Sequence, residues 1–329
     1  MAIWLCLLCF LSTLEYSGRI VGAEMDKTDM NLILMLLQNS RVSYADLADK
    51  LGLSVNAVHK RIQQLIEADV IHKFIARVSI LSSQCLTAYI SGVSHLENTK
   101  VLSDKLGSHG SIFWLALSSG NFVFTGSYIR NITELESLIS YVKKEAAISE
   151  PTVGILQPFQ APSSLKPSDL VLCTLDYRVI SALKDDSRRN LADVATELGV
   201  SAKTVRRRLD RMIKNGLIEL SLEWYPDKSN DIITLLDVKL KPDQNSFSAA
   251  YQIQKVYGEH ALFFWTFANL PNTATFVVWT NSMNELYKVR QGIEKDDSVV
   301  SAVPYVLWIG YIFKTWRDQL ASTLSTSST

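Results

Sequence analysis

A chain of 329 residues is long for one hydrophobic core, and a typical domain of about 100–200 residues predicts two to four of them. Its 33 basic and 33 acidic residues balance, which excludes a protein that coats nucleic acid through overall charge and confines any such contact to local patches. Four scattered cysteines (Cys6, Cys9, Cys85 and Cys173) suit a reduced cytoplasmic protein better than a disulfide framework.

Residues 1–24 open with an apolar run from Ala2 to Leu14, shorter than the ~20 residues of a membrane span. The run resembles the core of a signal peptide, with Val21-Gly22-Ala23 as a cleavage site, yet no Lys or Arg precedes it. The alternative is a misassigned start, because Met25-Asp26-Lys27-Thr28-Asp29 begins a helix with acidic residues in its first turn. Cys6 and Cys9 have no second pair nearby, so no metal site is expected.

The stretch from Asp29 to Ile71 recurs without a gap from Asp176 to Ile218, at an offset of 147 residues. In the first copy Leu32, Ile33, Leu36 and Leu37 mark one helix. Ser43 caps a second, with Leu47, Ala48 and Leu51 apolar, and Gly52 follows at its left-handed end. Ser54 caps a third helix expected to bury Val55, Val58, Ile62, Leu65 and Ile66. The second copy repeats this with Ser201, then Ala202, Val205, Leu209, Met212 and Ile213. Helix, short helix, turn and helix make a helix-turn-helix, followed each time by an extended wing or hinge strand.

Each copy continues in the order β-α-β-β-α-β, the ferredoxin-like order. The first set reads Thr87–Ser94, Asn98–Leu106, Ile112–Leu117, Phe122–Tyr128, Thr133–Lys144 and Thr152–Leu156, with a tight turn at Gly120-Asn121. The second reads Ile232–Leu240, Phe247–Tyr257, Ala261–Phe267, Ala274–Trp279, Met283–Ile293 and Ala302–Ile312. Helices cover one sheet face. The other is expected to be aromatic in the second copy (Phe263, Phe264, Trp265, Phe267, Phe276, Trp279, Trp308) and to be covered by the equivalent face of the first.

The expected fold class is therefore α+β, with two winged helix-turn-helix domains alternating with two ferredoxin-like βαββαβ domains. After the segment 1–24 come a helix-turn-helix domain at 25–78 and a sheet domain at 79–157. A Pro- and Ser-rich linker at 158–168 leads to the second pair, at 169–225 and 226–318. Residues 319–329, rich in Ser and Thr, are expected to be a disordered tail.

The third helix of each copy carries the functional signal. On the second, Lys203, Thr204, Arg207, Arg211 and Lys214 face outward, with Arg206 and Arg208 on the flanks. Between Ser201 and Lys214 six basic residues oppose one acid, Asp210; between Ser54 and Glu67 only Lys60 and Arg61 oppose Glu67. Such a helix fits the major groove of double-stranded DNA. Lys203, Thr204 and Arg207 are expected to read bases, and Arg206, Arg211 and Lys214 to hold phosphates. In the first copy the DNA-binding candidates are Asn56, Lys60 and Gln63. Arg61 and Arg208, on the helix flank, suit a structural ion pair as well as a phosphate contact.

The pattern Leu47-Ala48-Asp49-Lys50-Leu51-Gly52-Leu53-Ser54-x-x-x-Val58-x-x-Arg61-Ile62 recurs as Val194-Ala195-Thr196-Glu197-Leu198-Gly199-Val200-Ser201-x-x-x-Val205-x-x-Arg208-Leu209. With the βαββαβ units that follow, it resembles the Lrp/AsnC (feast/famine) family of prokaryotic transcription regulators, over essentially Asp26 to Trp316. The resemblance implies a cytoplasmic regulator without cofactor, catalytic residue or membrane contact. Members usually carry one unit per chain and dimerise through their sheets, so the tandem implies an internal pseudo-dimer, open to further homo-oligomers. It also implies a small-molecule effector near the turn between the second and third strands, here Gly120 and Asn121. That turn usually contains Gly-Asp; Asn121 lacks the charge and Leu270-Pro271-Asn272 lacks the glycine, which argues against an amino-acid effector.

Two alternatives remain. Siroheme decarboxylases resemble the same fold family and also occur as paired units, but that chemistry needs convergent His, Arg or Tyr groups in the sheet cavity, and His59, His72, His95, His109 and His260 do not cluster. A helix-turn-helix partner that assembles with other regulators without touching DNA would suit the weakly charged first motif.

Overall fold

The computed structural model describes residues 24–96, 98–157, 171–242 and 244–326. The leader question, Cys6, Cys9 and the linker at 158–168 lie outside the described residues.

The first helix-turn-helix comprises α1 (Lys27–Gln38), α2 (Tyr44–Leu51) and α3 (Val55–Glu67). Asp26 starts α1 through a capping box, its carboxylate accepting from Asp29 N at 2.9 Å while Asp29 accepts from Asp26 N at 3.2 Å. Ser43 and Ser54 cap α2 and α3, as expected, and Gly52 takes the left-handed φ of +67° between them. After α3 the chain runs out along β1 (Ile71–Val78) and through the short α4 (Ile80–Ser83) into the first sheet domain.

That domain follows the expected order as β2 (Leu86–Val93), α5 (Thr99–Gly107), β3 (Ile112–Ser118), β4 (Phe122–Ile129), α6 (Thr133–Glu145) and β5 (Thr152–Ile155). The second unit begins with α7 (Thr174–Leu183), α8 (Leu191–Leu198), α9 (Ala202–Lys214) and strand β6 (Ile218–Trp224). It ends with β7 (Ile232–Leu240), α10 (Ser246–Tyr257), β8 (Ala261–Thr266), β9 (Thr273–Thr280), α11 (Met283–Glu294) and β10 (Val299–Ile312).

The two units pair twice. β1 and β6, the expected wing strands, form a two-stranded antiparallel sheet with each other, matching Phe74 with Leu222 and Ile75 with Ser221. Each of these two pairs maps onto the other under the 147-residue offset, the signature of an isologous twofold contact. The sheet domains join edge to edge into one sheet of order β5-β2-β4-β3-β10-β7-β9-β8. Its two ends also meet, through a bridge of Leu156 to Phe267 flanked by Gln157 N to Thr266 O (3.0 Å) and Ala268 N to Ile155 O (2.8 Å). Only glycine fits at Gly154 in this closure, because a Cβ there would lie 2.3 Å from the Phe267 ring.

The enclosed faces form one core in which Tyr89, Phe113, Trp114 and Phe124 of the first copy meet Phe263, Trp265, Phe267 and Trp279 of the second. The mutual covering of the two bare faces is thus present, but its membership differs from expectation. Phe264 and Phe276 belong to the opposite core beneath α10 and α11, because successive strand residues alternate in direction. Trp308 is 67% exposed. The interior is tightly filled, leaving a cavity of about 20 Å³ between Thr87, Tyr89, Trp114, Leu235 and Trp265.

Four further expectations fail. Val55 and Ile213 are exposed at 46% and 40%, and Ala202 is exposed too. At about 100° per residue, Ala202 and Ile213 fall on the flank of the stripe formed by Val205, Leu209 and Met212. The small three-helix bundle covers only that stripe. Finally, the expected disordered tail at 319–329 is helical as far as Thr326, in α12 (Trp316–Thr326). Tertiary contacts outweigh its composition: Ala321 is buried in the core of the second helix-turn-helix, and Trp316 Nε1 donates to Tyr128 O at 3.0 Å.

Between β6 and β7, the turn Pro226–Lys228 carries Asp227, whose carboxyl burial pushes up to about 6 from 3.8. The folded chain therefore holds this proton more tightly than the unfolded one, and stability falls as pH rises from about 4 through about 6. Asp227→Asn should be more stable than the parent at pH 7 by about 1–3 kcal/mol, with the difference gone by pH 4. Melting curves across pH 4–8 check this; a constant difference would contradict it.

Candidate nucleic-acid interface

The two third helices are built alike. Ser54 Oγ accepts from Ala57 N at 3.2 Å, Ser201 Oγ from Thr204 N at 3.1 Å, and α3 and α9 each run for 13 residues. A pseudo-twofold axis relates them. Ser40 Oγ and Ser187 Oγ, equivalent under the repeat, meet at 2.6 Å. Arg188 donates to Ser40 O (2.9 Å) and Val42 O (3.3 Å), while Arg41 donates to Ser187 O and to Arg189 O (3.0 Å). Burial, with the nearby Arg188 charge, lowers the pKa of Arg41. This reciprocal clamp was not anticipated from the sequence, although the matched Ser40-Arg41 and Ser187-Arg188 pairs were its visible trace.

On α9, Lys203, Arg206, Arg207 and Lys214 are exposed, and none makes an ion pair or hydrogen bond through its side chain among the described residues. Thr204 is half-buried, its hydroxyl 3.0 Å from Ser201 Oγ. Arg211 is placed differently from expectation. Its Nη2 lies 2.5 Å from Asp176 Oδ2 and its guanidinium also donates to Val171 O, so the expected phosphate ligand is held by the protein itself. Arg208 stands 3.6 Å from Asp176 and donates to Cys173 Sγ at 3.2 Å. The cause is Asp176, fully buried in the first turn of α7, whose charge needs cations beside it.

On α3, Asn56, Lys60 and Gln64 are exposed and Gln63 is half-buried. Arg61 pairs with Asp29 at 2.8 Å and Asp26 at 2.9 Å, and its hydrogen bond to Asp29 foremost raises its pKa. The repeat thus preserves one acid–arginine tie between first and third helices, Asp29–Arg61 and Asp176–Arg208. Exposed His59, edge-on to Tyr44 with ring centroids 5.4 Å apart, and exposed Asp210 share the outward surface and were not among the sequence candidates.

Asp176→Ala should cost about 1–3 kcal/mol, since it removes the acceptor of Cys173 N (2.9 Å) and of Arg211, and with it the charge beside Arg208. Urea denaturation checks the figure; an unchanged midpoint would mean that solvent satisfies these groups equally well.

Gly120 and Asn121 form an exposed turn with φ of +67° and +55°. Asn121 O accepts from Ser94 N at 2.9 Å, just as Asn272 O accepts from Leu240 N at 2.8 Å in the second copy. The turn offers a ligand ammonium no carboxylate. Cys85 and Cys173 are free thiols, and among the described residues no group of three His, Cys, Asp or Glu side chains is placed to hold a metal ion. No described helix is long and apolar enough to cross a membrane.

Comparison with known proteins agrees with this duplication. A family model described as winged helix-turn-helix DNA-binding matches twice, at residues 25–72 and 174–219. An uncharacterized HTH-type transcriptional regulator of Pyrococcus furiosus, PF1231, is 34% identical over 76 residues, which are 22% of this chain and 51% of that protein. A second from the same organism, PF2053, is 27% identical over 125 residues, covering 37% of this chain and 84% of its own length. The chain thus spans about half the length of the first relative and most of the second. Over the whole molecule, the crystal structure of the siroheme decarboxylase NirDL superposes with a TM-score of 0.57 at 12% identity, covering 91% of this chain and 98% of that one. At that identity the shared property is the fold alone. By its repeated motif, its two winged helix-turn-helix matches and its alternating domains, the chain carries two winged helix-turn-helix units in tandem, each followed by a βαββαβ domain.

Proposed function

We propose that this chain is a sequence-specific, DNA-binding transcription regulator of the cytoplasm that acts without catalysis and grips duplex DNA chiefly through α9. The observation that carries the reading is the set of four exposed cations on that helix, Lys203, Arg206, Arg207 and Lys214, uncommitted among the described residues, on a chain of zero net charge. Phosphate neutralisation supplies most of the affinity of such contacts. α3 contributes Lys60 with Asn56 and Gln63, so it binds more weakly. Because the copies are held about a pseudo-twofold axis, the chain meets its DNA as a built-in dimer. Selection of genomic fragments bound by the full chain tests this, followed by Arg207→Ala and Lys60→Ala separately. If neither change weakens binding across a range of salt, the reading is wrong.

The whole-chain likeness of fold to a siroheme decarboxylase favours a second reading, a tetrapyrrole enzyme. Against it stand the lining of the paired sheets, in which Tyr89 is the single His, Arg or Tyr group among the described residues, and a cavity of about 20 Å³ where ligand pockets usually offer about 300–1,000 Å³. His59, His72 and His95 are exposed, and His109 and His260 lie outside that lining. Titration with a tetrapyrrole separates the two, since a saturable Soret shift would favour the enzyme.

A further inference from the structure

The twofold relation between α3 and α9 sets their outward residues against each other position by position. Equal length, equivalent Ser caps and the Ser40–Ser187 contact at 2.6 Å mean that a residue on α3 and the one 147 positions later meet DNA at equivalent places in opposite half-sites. The positions do not match chemically. Asn56 stands where α9 has Lys203, and Gln63 where it has Asp210; Lys60 corresponds to Arg207.

Base edges in the major groove discriminate among these groups. An amide side chain donates and accepts, which fits adenine N7 and its N6 amino group; a cation fits the two acceptors N7 and O6 of guanine; a carboxylate accepts from the cytosine amino group. The matched position, Lys60 and Arg207, presents a cation in both copies and so asks for guanine in both halves. The mismatched positions ask for different bases. Asn56 and Gln63 offer amides, exposed and half-buried respectively, whereas Lys203 and Asp210, both exposed, offer a cation and a carboxylate.

Resting on the DNA-binding reading above, we infer that the target is a pseudo-palindromic duplex with chemically unequal halves. They share a guanine beneath Lys60 and Arg207. The half under α3 carries adenines at the positions met by Asn56 and Gln63, and the half under α9 carries guanine and cytosine at the positions met by Lys203 and Asp210. The pseudo-twofold frame sets the half-site spacing, and the side chains break its symmetry.

The test is enrichment of random duplexes by the full chain, alongside the variant Asn56→Lys with Gln63→Asp and the reciprocal Lys203→Asn with Asp210→Gln. Asn56, Lys203 and Asp210 are exposed and Gln63 is half-buried, and equal melting temperatures would show that the variants fold. The expected consensus is asymmetric, with adenine confined to one half. Replacing either adenine by guanine should weaken binding by roughly 5- to 150-fold. The first variant should make both halves G·C-bearing, and the second should make both adenine-bearing. A symmetric parental consensus, or variants that leave the adenine half unchanged, overturns this inference while leaving DNA binding intact. Failure to enrich any sequence overturns the DNA-binding reading itself.

Discussion

Arg317→Met should destabilise the folded chain by about 3–5 kcal/mol, the usual cost of removing one partner of a buried ion pair. The Arg317 guanidinium is fully buried. It bonds Glu219 through Nη2, Val78 O through Nε at 3.0 Å and the Tyr128 hydroxyl through Nη1 at 3.0 Å, and its carbon lies 4.8 Å from the Tyr128 ring centre. Burial alone would lower its pKa, but Glu219 and then Tyr128 more than offset this and hold it above the usual arginine range.

Arg77 completes the group, 3.2 Å from Glu219 and 3.3 Å from Asp318. Four segments converge here: β1, β6, α12 and, through Tyr128, the first sheet domain. Loss of Arg317 leaves Glu219 with a single cation in a place that water does not reach. The chain has several domains, so parent and variant are compared by calorimetry on the transition in which β1, β6 and α12 unfold. Arg317→Met combined with Glu219→Met should recover much of the loss, because replacing both partners avoids the orphaned charge. A single-variant loss under about 1 kcal/mol would show that solvent reaches the pair.

Removing cations from α9 should change DNA binding in two distinguishable ways. Arg206→Ala with Lys214→Ala should lower the slope of log affinity against log salt by about two, roughly one per phosphate contact, across all sequences. Arg207→Ala should cost about 1–3 kcal/mol on the specific site and relax the base preference beneath it. Lys60→Ala should have a smaller effect, α3 being the weaker helix. Arg211→Ala serves as the contrast. Its guanidinium is committed to Asp176, so the substitution should lower the melting temperature and leave the salt slope in place. A full unit lost from the slope at an unchanged melting temperature would show that Arg211 leaves Asp176 for the phosphate.

Much of the architecture was legible because its causes are local and were written twice. Ser54 and Ser201 cap the third helices, and Gly52 and Gly199 take the left-handed turn, as the repeat required. Strand and helix boundaries in both βαββαβ units fall within a residue or a few of their hydrophobic periods. Misreadings occurred where direction or distance mattered. Composition places Phe264 and Phe276 on the bare sheet face, whereas alternation along β8 and β9 turns them under the helices. From the sequence Arg211 reads as a free cation, because no local signal shows Asp176, 35 residues earlier, arriving buried beside it.

The sequence by itself determined the elements, their order, the duplication and the difference in charge between α3 and α9, since helical and strand periods, caps and glycine turns act over a few residues. Only the tertiary structure decided which groups were already engaged. It joined β1 to β6 and closed the two sheets around one aromatic core. It folded the Ser- and Thr-rich end into α12 around Arg317, and it withdrew Arg61, Arg208 and Arg211 into internal ion pairs. Those outcomes depend on the low dielectric and close packing of segments far apart in the chain, where a buried charge must find its partner whatever its own neighbours in sequence prefer.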